Sequence, residues 1–292
     1  MIWPAGKVPV AVVMISLNEG HNMKEVLDNL TGWAQQVLLV DSYSTDDTVD
    51  IALRYGVHVV QRRFRGFGDQ WNFALRELPI TSPWTMKLDP DERLTPELKR
   101  SIEQEIEQGI ADAISIQRRL WFMATPLPIT QSLLRLWRTG TCRFTDVLVN
   151  EHPIVSGNVR SLREELEHRD SPDLHHWVEK QNRYTTTEAL VRYRRLPLAA
   201  EPRLFGSTLE RRMWFKRNFI KIPFRYQVNL VVNLIEVRAW RSGRVGAAWA
   251  RHRVWARRMV EDKHREMLIT RREIALPSPR VGEPHPGATC AD

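Results

Sequence analysis

From Val8 to about Arg118 the chain alternates short β-rich apolar runs with stretches of helical period, and this constrains its fold more than any single motif. The runs lie at 8–16, 37–41, 57–61, 84–88 and 113–117, and helical periodicity fills 22–30, 46–55, 69–78 and 96–108. Alternating strands and helices bury their apolar faces together when the strands line up in a mainly parallel sheet with helices on both sides. The expected class is therefore α/β, a doubly wound sheet. Ligands of such sheets bind beyond the carboxyl ends of the strands. Asn18-Glu19, Asp41-Ser42 and Asp89-Pro90-Asp91 each follow the last apolar residue of a run, so all three are expected on one rim.

The tetrapeptide Asp89-Pro90-Asp91-Glu92 packs three carboxylates into four residues. They repel one another unless a cation or a donor-rich ligand is shared between them. The same residues also suit the N-terminus of a helix starting near Thr95-Pro96-Glu97. In Asp41-Ser42-Tyr43-Ser44-Thr45-Asp46-Asp47-Thr48, Ser44 or Thr45 is available as a helix cap, with Asp46 and Asp47 in the first turn. Capping does not require Asp41, whose carboxylate at a strand end can accept from a base N–H or a ribose hydroxyl.

A chain of 292 residues, 42% of them apolar, can fill the core of one large domain or of a domain plus an appendage. Cys142 and Cys290 are far apart and suggest neither a disulfide framework nor a multi-cysteine zinc site, which fits a reducing, cytoplasmic compartment. The apolar stretch 8–15 is one strand long and lacks a cleavage-site pattern, so it reads as a strand rather than a signal peptide. No run reaches the ~18 apolar residues needed to span a bilayer.

The net charge of +8 is unevenly placed: residues 201–272 carry 18 Lys and Arg against 6 Asp and Glu, while residues 1–200 carry 24 against 26. Helical period returns at 174–194 and continues through 204–219, 226–240 and 247–267. Residues 119–170 show little of it; short strands are expected at 133–137 and 147–149, extending the sheet on the side of an acceptor. The last stretch, 273–292, is rich in Pro and Gly and reads as a disordered tail. Basic helices interleaved with Trp214, Phe215, Phe224, Trp240 and Trp249 suit an anionic membrane surface. The same composition could meet nucleic-acid phosphates, or pack on the sheet. The expectation is a mixed one, with apolar surface docked on the sheet, the Arg-rich face toward an anionic membrane, and no nucleic acid as partner.

Four segments, Ile15-Ser16-Leu17-Asn18-Glu19, Asp41 to Thr48, Gly66-Phe67-Gly68-Asp69-Gln70-Trp71-Asn72-Phe73-Ala74 and Leu88-Asp89-Pro90-Asp91-Glu92, follow one another across residues 8–95. In that order they resemble the family 2 glycosyltransferases of the GT-A fold, and most of all the branch that includes lipopolysaccharide-core β-glucosyltransferases. A weaker likeness runs through Val149-Asn150-Glu151-His152 and Leu166-Glu167-His168. The resemblance implies a nucleotide-sugar-binding and catalytic domain over 1–200; charge and helical period mark 201–272 as a basic amphipathic helical region. It also implies inverting transfer of a hexose from a nucleotide-sugar, UDP-linked, to a glycan or lipid-linked acceptor in bacterial envelope biosynthesis, at the inner face of the cytoplasmic membrane.

On this chain the resemblance puts the nucleoside at Asp41, with Asn18 and Glu19 lining the pocket. Ribose and a divalent cation, Mg²⁺ or Mn²⁺, fall to Asp89 and Asp91, with His168 completing the site; imidazole suits Mn²⁺ better than Mg²⁺. A hard cation with oxygen ligands neutralises the charge left on a departing diphosphate. Glu92 could instead cap the following helix. Inversion also requires a base opposite the leaving group; Glu151 is the candidate and Asp146 the runner-up, the plainer alternative being that Glu151 pairs with an Arg such as Arg143. Gln70 and Asn72 could donate to sugar or phosphate oxygens. Trp71 stands where many relatives carry Arg, so core packing and ligand stacking are both open to it; Arg62, Arg63 and Arg65 could supply the missing charge. Two rivals remain on sequence alone: a sugar nucleotidyltransferase, and a non-catalytic basic membrane- or nucleic-acid-binding protein on the same fold.

Overall fold

The structure, a computed structural model, describes residues 2–145, 151–235, 237–275 and 281–291. Its first half is β1 (Val8–Ser16), α1 (Gly20–Leu30), β2 (Ala34–Asp41), α2 (Thr48–Arg54), β3 (His58–Gln61), α3 (Phe67–Glu77) and β4 (Trp84–Lys87). β1 reads as a continuous apolar run, with Val10 to Met14 fully buried, because helices cover both of its faces. It pairs in parallel with β2 on one side and β4 on the other. One face of α1, formed by Met23, Val26, Leu27 and Leu30, closes the larger core cluster. Truncating Leu27 to Ala there would cost about 2–5 kcal/mol.

β5 (Glu92–Leu94) and α4 (Pro96–Gln108) follow. Thr95 caps α4 by accepting from the Leu98 N–H, and Gly109 ends it at φ 70°, a left-handed conformation that costs glycine little. Glu92 is therefore not the cap of this helix. Next come β6 (Ala113–Phe122), β7 (Thr125–Arg138), β8 (Cys142–Phe144), β9 (Pro153–Val155) and β10 (Val159–His168). β6 and β7 are much longer than the runs expected at 113–117 and 133–137. They form one antiparallel hairpin that turns at Met123 and Ala124, both at positive φ. The strand expected at 147–149 lies outside the described residues.

Among the described residues a last strand, β11 (Thr289–Cys290), joins the main sheet, whose order is β11-β3-β2-β1-β4-β7-β6-β10-β5, with β8 and β9 paired apart from it. Pairing is parallel from β11 to β4, and β7 enters antiparallel to both of its neighbours. β11 (Thr289–Cys290) closes the far edge beside β3. Residues 281–291 were expected as part of a disordered tail and instead lie against that edge. Thr289 and Cys290 register with Val60 and Gln61, and the Ala291 N–H donates to the Gln61 carbonyl at 2.9 Å. The pairing uses backbone, so the low apolar content of the segment does not prevent it.

The C-terminal helices are α5 (Leu174–Tyr193), α6 (Thr208–Asn218), α7 (Arg225–Leu234) and α8 (Gly243–Thr270). α6 starts at a capping box between Ser207 and Glu210. The helix expected over 226–240 stops at Leu234, and a short 3₁₀ turn at Ala239–Ser242 leads into α8. The outer end of the β6–β7 hairpin supplies Phe122, Leu127 and Ile129 to a cluster with Trp177, Ala239, Trp249 and Ala250, which docks these helices on the sheet. Lys263 of α8 ties down α5 by donating to the Asn182 carbonyl (2.8 Å), Thr185 (2.9 Å) and Thr186 (2.7 Å).

Candidate active site

The parallel register places the ends of β2, β1 and β4 side by side: Ser16 faces Asp41 across one ladder, Val13 faces Lys87 across the other, and the Leu88 N–H still donates to Val13. Asn18-Glu19, Asp41-Ser42 and Asp89-Pro90-Asp91 thus leave the sheet along one rim.

Asp41 is fully buried, and its carboxylate accepts from Ser16 Oγ (2.8 Å), the Ser44 N–H (2.8 Å), Ser44 Oγ (2.5 Å) and Gln61 Nε2 (2.8 Å). With four donors on two oxygens, it braces the loop after β2 rather than facing a cleft. Ser44 is spent on Asp41, and α2 begins only at Thr48, later than expected. The Asp46 carboxylate accepts from the Thr48 N–H (3.1 Å) and the Gly20 N–H (2.9 Å), so it joins this loop to the start of α1. A Cβ on Gly20 would lie 2.0 Å from Asp47 Oδ1, the tip of an exposed side chain that would have to swing aside. Asn18, at φ 56°, completes the link by accepting from the Thr45 N–H at 2.7 Å.

Two residues expected at the donor pocket are otherwise engaged. The Asn72 side chain exchanges both of its hydrogen bonds with the Phe144 backbone (3.0 and 2.8 Å), clamping α3 to β8. Gln70 is fully buried, accepting from Arg62 Nη1 at 2.9 Å and donating to Ser42 Oγ at 3.3 Å. Arg62 is itself buried against Asp69 at 2.5 Å, while Arg63 and Arg65 are exposed. Trp71 is a core residue, stacked on Phe144 with ring centroids 5.6 Å apart.

The acidic tetrapeptide divides its labour. Glu92, fully buried, pairs with Arg135 and lies 3.6 Å from Arg118, and it accepts from the Asp89 N–H at 3.0 Å. Burial raises its carboxyl against the pull of Arg135. Asp89 retains 30% side-chain exposure and meets Arg135 Nη2 at 3.1 Å. Burial works to raise its carboxyl, but Arg135 and Lys87 hold it below the usual range. Asp91 points the other way. β5 runs antiparallel to β10 with Glu92 opposite His168, which brings His168 and the residues after it onto Asp91.

Asp91, His168 and Asp170 offer ligand atoms that all lie within 4.8 Å of one another. His168 Nε2 is 3.4 Å from Asp91 Oδ2 and 3.7 Å from Asp170 Oδ1, with side chains only 7 to 13% exposed. Asp91 Oδ1 and His168 Nδ1 are buried with no hydrogen-bond partner among the described residues. A buried carboxylate oxygen without a donor is costly, and a cation bound there would remove the cost. The donor set of two carboxylates and an imidazole fits Mn²⁺ or a similar ion. The three residues that could hold an ion are not the expected set: Asp89 is engaged by Arg135, and Asp170 stands with Asp91 and His168.

Asp170 had a legible signal. Leu166 and His168 alternate along the end of β10, and Asp170 follows at the same spacing, two residues past the strand's end. Lys180 of α5 had none in its local sequence. Its Nζ lies 2.9 Å from both Asp91 Oδ2 and Asp170 Oδ1. Burial alone would lower the Lys180 ammonium, but those two carboxylates raise it well above its ordinary range, and it in turn helps to hold Asp91 and Asp170 low.

Glu151 forms a 2.6 Å ion pair with Lys87 rather than with Arg143, both side chains being largely buried. Asp146, with Val149 and Asn150, lies outside the described residues.

This arrangement has a family. The profile of glycosyl transferase family 2 matches residues 11–169, more than half of the chain, and the protein belongs to that family. Among relatives, lipopolysaccharide core biosynthesis glycosyltransferase LpsC of Rhizobium meliloti is 28% identical over 197 residues, 63% of this chain and 71% of that protein. An uncharacterized glycosyltransferase of Rickettsia conorii is 34% identical over 94 residues, 32% of this chain, so the match spans about a third (33%) of that relative's length. The crystal structure of S. aureus TarS 1-349 in complex with UDP superposes at a TM-score of 0.42 with 14% identity, over 88% of this chain and 91% of that one, a likeness too loose to carry a ligand across.

Proposed function

We propose that the protein is a metal-dependent, inverting glycosyltransferase that moves a hexose from a UDP-linked nucleotide-sugar to a glycan or lipid-linked acceptor in bacterial envelope polysaccharide or lipopolysaccharide biosynthesis. The observation that carries this reading is the orphaned Asp91 Oδ1 beside His168 and Asp170, at the rim where a family 2 chain presents its donor site. The similarity to LpsC supports the envelope assignment.

Asp91, His168 and Asp170 would hold the divalent ion, which when bound neutralises charge on a departing diphosphate. Asp89, the more exposed of the rim carboxylates held low by Arg135, suits the ribose hydroxyls as an acceptor. Asp41 braces the loop that would flank the base. Glu151 is the proposed base. It takes the proton from the acceptor hydroxyl as that oxygen bonds to the anomeric carbon, and the bond from that carbon to the diphosphate oxygen breaks on the opposite face. Lys87, 2.6 Å from Glu151 Oε1, holds that carboxylate in place.

α7 turns Val228, Val231 and Ile235 outward, next to exposed Phe224 and Trp240, and Arg217, Lys221, Arg238 and Arg241 are exposed around them. Such a face suits peripheral contact with an anionic membrane bearing the acceptor. Among the described residues no helix is long and apolar enough to cross a membrane.

The test is a panel of nucleotide-sugars assayed for turnover with and without Mn²⁺. Asp91→Ala should abolish transfer while leaving the circular dichroism and melting profile intact, and near-normal turnover of that variant in Mn²⁺ would refute the metal role.

A further inference from the structure

Asp91 and Asp170 already face a cation that belongs to the chain. The Lys180 ammonium donates to Asp91 Oδ2 at 2.9 Å, lies 2.9 Å from Asp170 Oδ1, and donates to the Asp170 carbonyl at 3.1 Å. Three oxygens therefore lie within 3.1 Å of the ammonium, the chemistry a hard cation would meet in the same place. We infer that Lys180 is a tethered counter-ion that holds the cation position of the site and has to be displaced when a divalent ion binds. The inference rests on the metal site proposed above.

Two nearly buried carboxylates this close repel each other, and the Lys180 ammonium lies 2.9 Å from both. A divalent ion with ligand distances of about 2.0–2.6 Å cannot take those oxygens while an ammonium remains on them, because the two cations would repel at contact range. The helix is not the moving part. Asp173 caps α5 by accepting from the His176 N–H at 2.8 Å, which anchors its first turn, so the four-carbon side chain has to swing. Lys180 thus lowers the affinity of the empty enzyme for its ion.

The full-length protein, without nucleotide, is titrated with Mn²⁺ and the free ion is read by electron paramagnetic resonance for wild type, Lys180→Met, Lys180→Arg and Asp91→Asn. Lys180→Met is expected to bind one Mn²⁺ at least about tenfold more tightly than wild type, since it removes one like charge from the site. Lys180→Arg should bind no more tightly than wild type, and Asp91→Asn should lose the site. If Asp91→Asn loses Mn²⁺ but Lys180→Met binds no better than wild type, the counter-ion role is wrong and the metal site stands. If no protein binds Mn²⁺, or Asp91→Asn binds like wild type, both are wrong. Should Lys180→Met be unfolded without metal, its melting temperature must rise more with Mn²⁺ than that of wild type does; an equal or smaller rise overturns the inference.

Discussion

Lys87 ends β4 and holds Glu151 at 2.6 Å, with its ammonium 4.4 Å from the centroid of Trp71 and 5.2 Å from that of Phe144. The rings are therefore a platform for the lysine rather than for a sugar, and the lysine in turn positions the carboxylate. As the proposed base, Glu151 acts only on the proton of the acceptor. Glu151→Gln should lower turnover by about 10²–10⁴-fold with donor affinity changed less than about twofold, because the amide can still accept from Lys87 but cannot take a proton. Steady-state kinetics beside donor binding by calorimetry check this. An equal loss in both would make Glu151 an anchor for Lys87 and no more.

Glu19 gives the site a pH signature. Burial, and then the charge of Asp91, push its carboxyl from 4.5 up to about 7. Between these values the folded protein holds a proton that the unfolded chain has released. The contribution of Glu19 to stability is thus fully present below pH 4.5 and is lost as pH rises through about 7. His21, His152, His176 and His264, all lowered chiefly by burial, titrate nearby with the opposite sign. The readout is therefore a difference. In chelator, the stability of wild type relative to Glu19→Gln, from urea midpoints, should fall between pH 4.5 and 7. A flat difference would mean that Glu19 is not buried against Asp91.

Much of this was legible in the sequence, and the failures have physical causes. Helix α4 is bounded at Pro96 and Gln108 as its period and its Thr95 and Gly109 caps require, because local chemistry specifies both ends. The β6–β7 hairpin was cut short in expectation because its turn is Met123-Ala124, residues that do not ordinarily sit at positive φ, so the Asn-Gly kind of signal was missing. At the site, Asp91 and His168 could be paired by motif, but the motif did not show that Asp170 rather than Asp89 stands beside them. Which carboxylate meets Arg135 and which meets His168 depends on β5 folding back onto β10, and nothing in Asp89-Pro90-Asp91-Glu92 encodes that pairing. Lys180 comes from a helix 89 residues beyond Asp91, out of reach of any spacing argument.

The C-terminal segment reaches the donor side through backbone contacts. The His285 N–H donates to Gln61 Oε1 at 2.6 Å, Gln61 Nε2 donates to Asp41 at 2.8 Å, and the Gly282 N–H donates to the Tyr43 carbonyl at 2.8 Å. Tyr43 sits at φ 61°, a conformation that needs support in a non-glycine residue. Deleting residues 281–292 should leave the Asp41 loop less well held and weaken UDP binding by about five- to tenfold, the equivalent of one or two neutral hydrogen bonds. Calorimetry with UDP on the shortened chain measures it, and unchanged affinity would reduce the segment to an edge cover for β3.

The outward face of α7 makes the last prediction. Its inner side is fixed to α8, where Glu261 is almost fully buried and accepts from Arg225 Nη2 at 2.7 Å and from the Tyr226 hydroxyl at 2.9 Å. The row Val228, Val231 and Ile235 is thereby held away from the core, at 47, 52 and 66% exposure, beside Phe224 at 78% and Trp240 at 60%. Apolar side chains kept outward by a buried ion pair gain little from the fold itself, whereas an interface with acyl chains would remove them from water. Replacing Phe224, Ile235 and Trp240 by Ser should therefore abolish flotation with anionic liposomes while leaving the melting temperature nearly unchanged. Arg225→Met should instead destabilise the protein by about 1.5–3 kcal/mol, because it removes the charged partner of a buried carboxylate. Flotation that survives the triple replacement would turn attention to the arginines alone, and raising the salt would then have to release the protein.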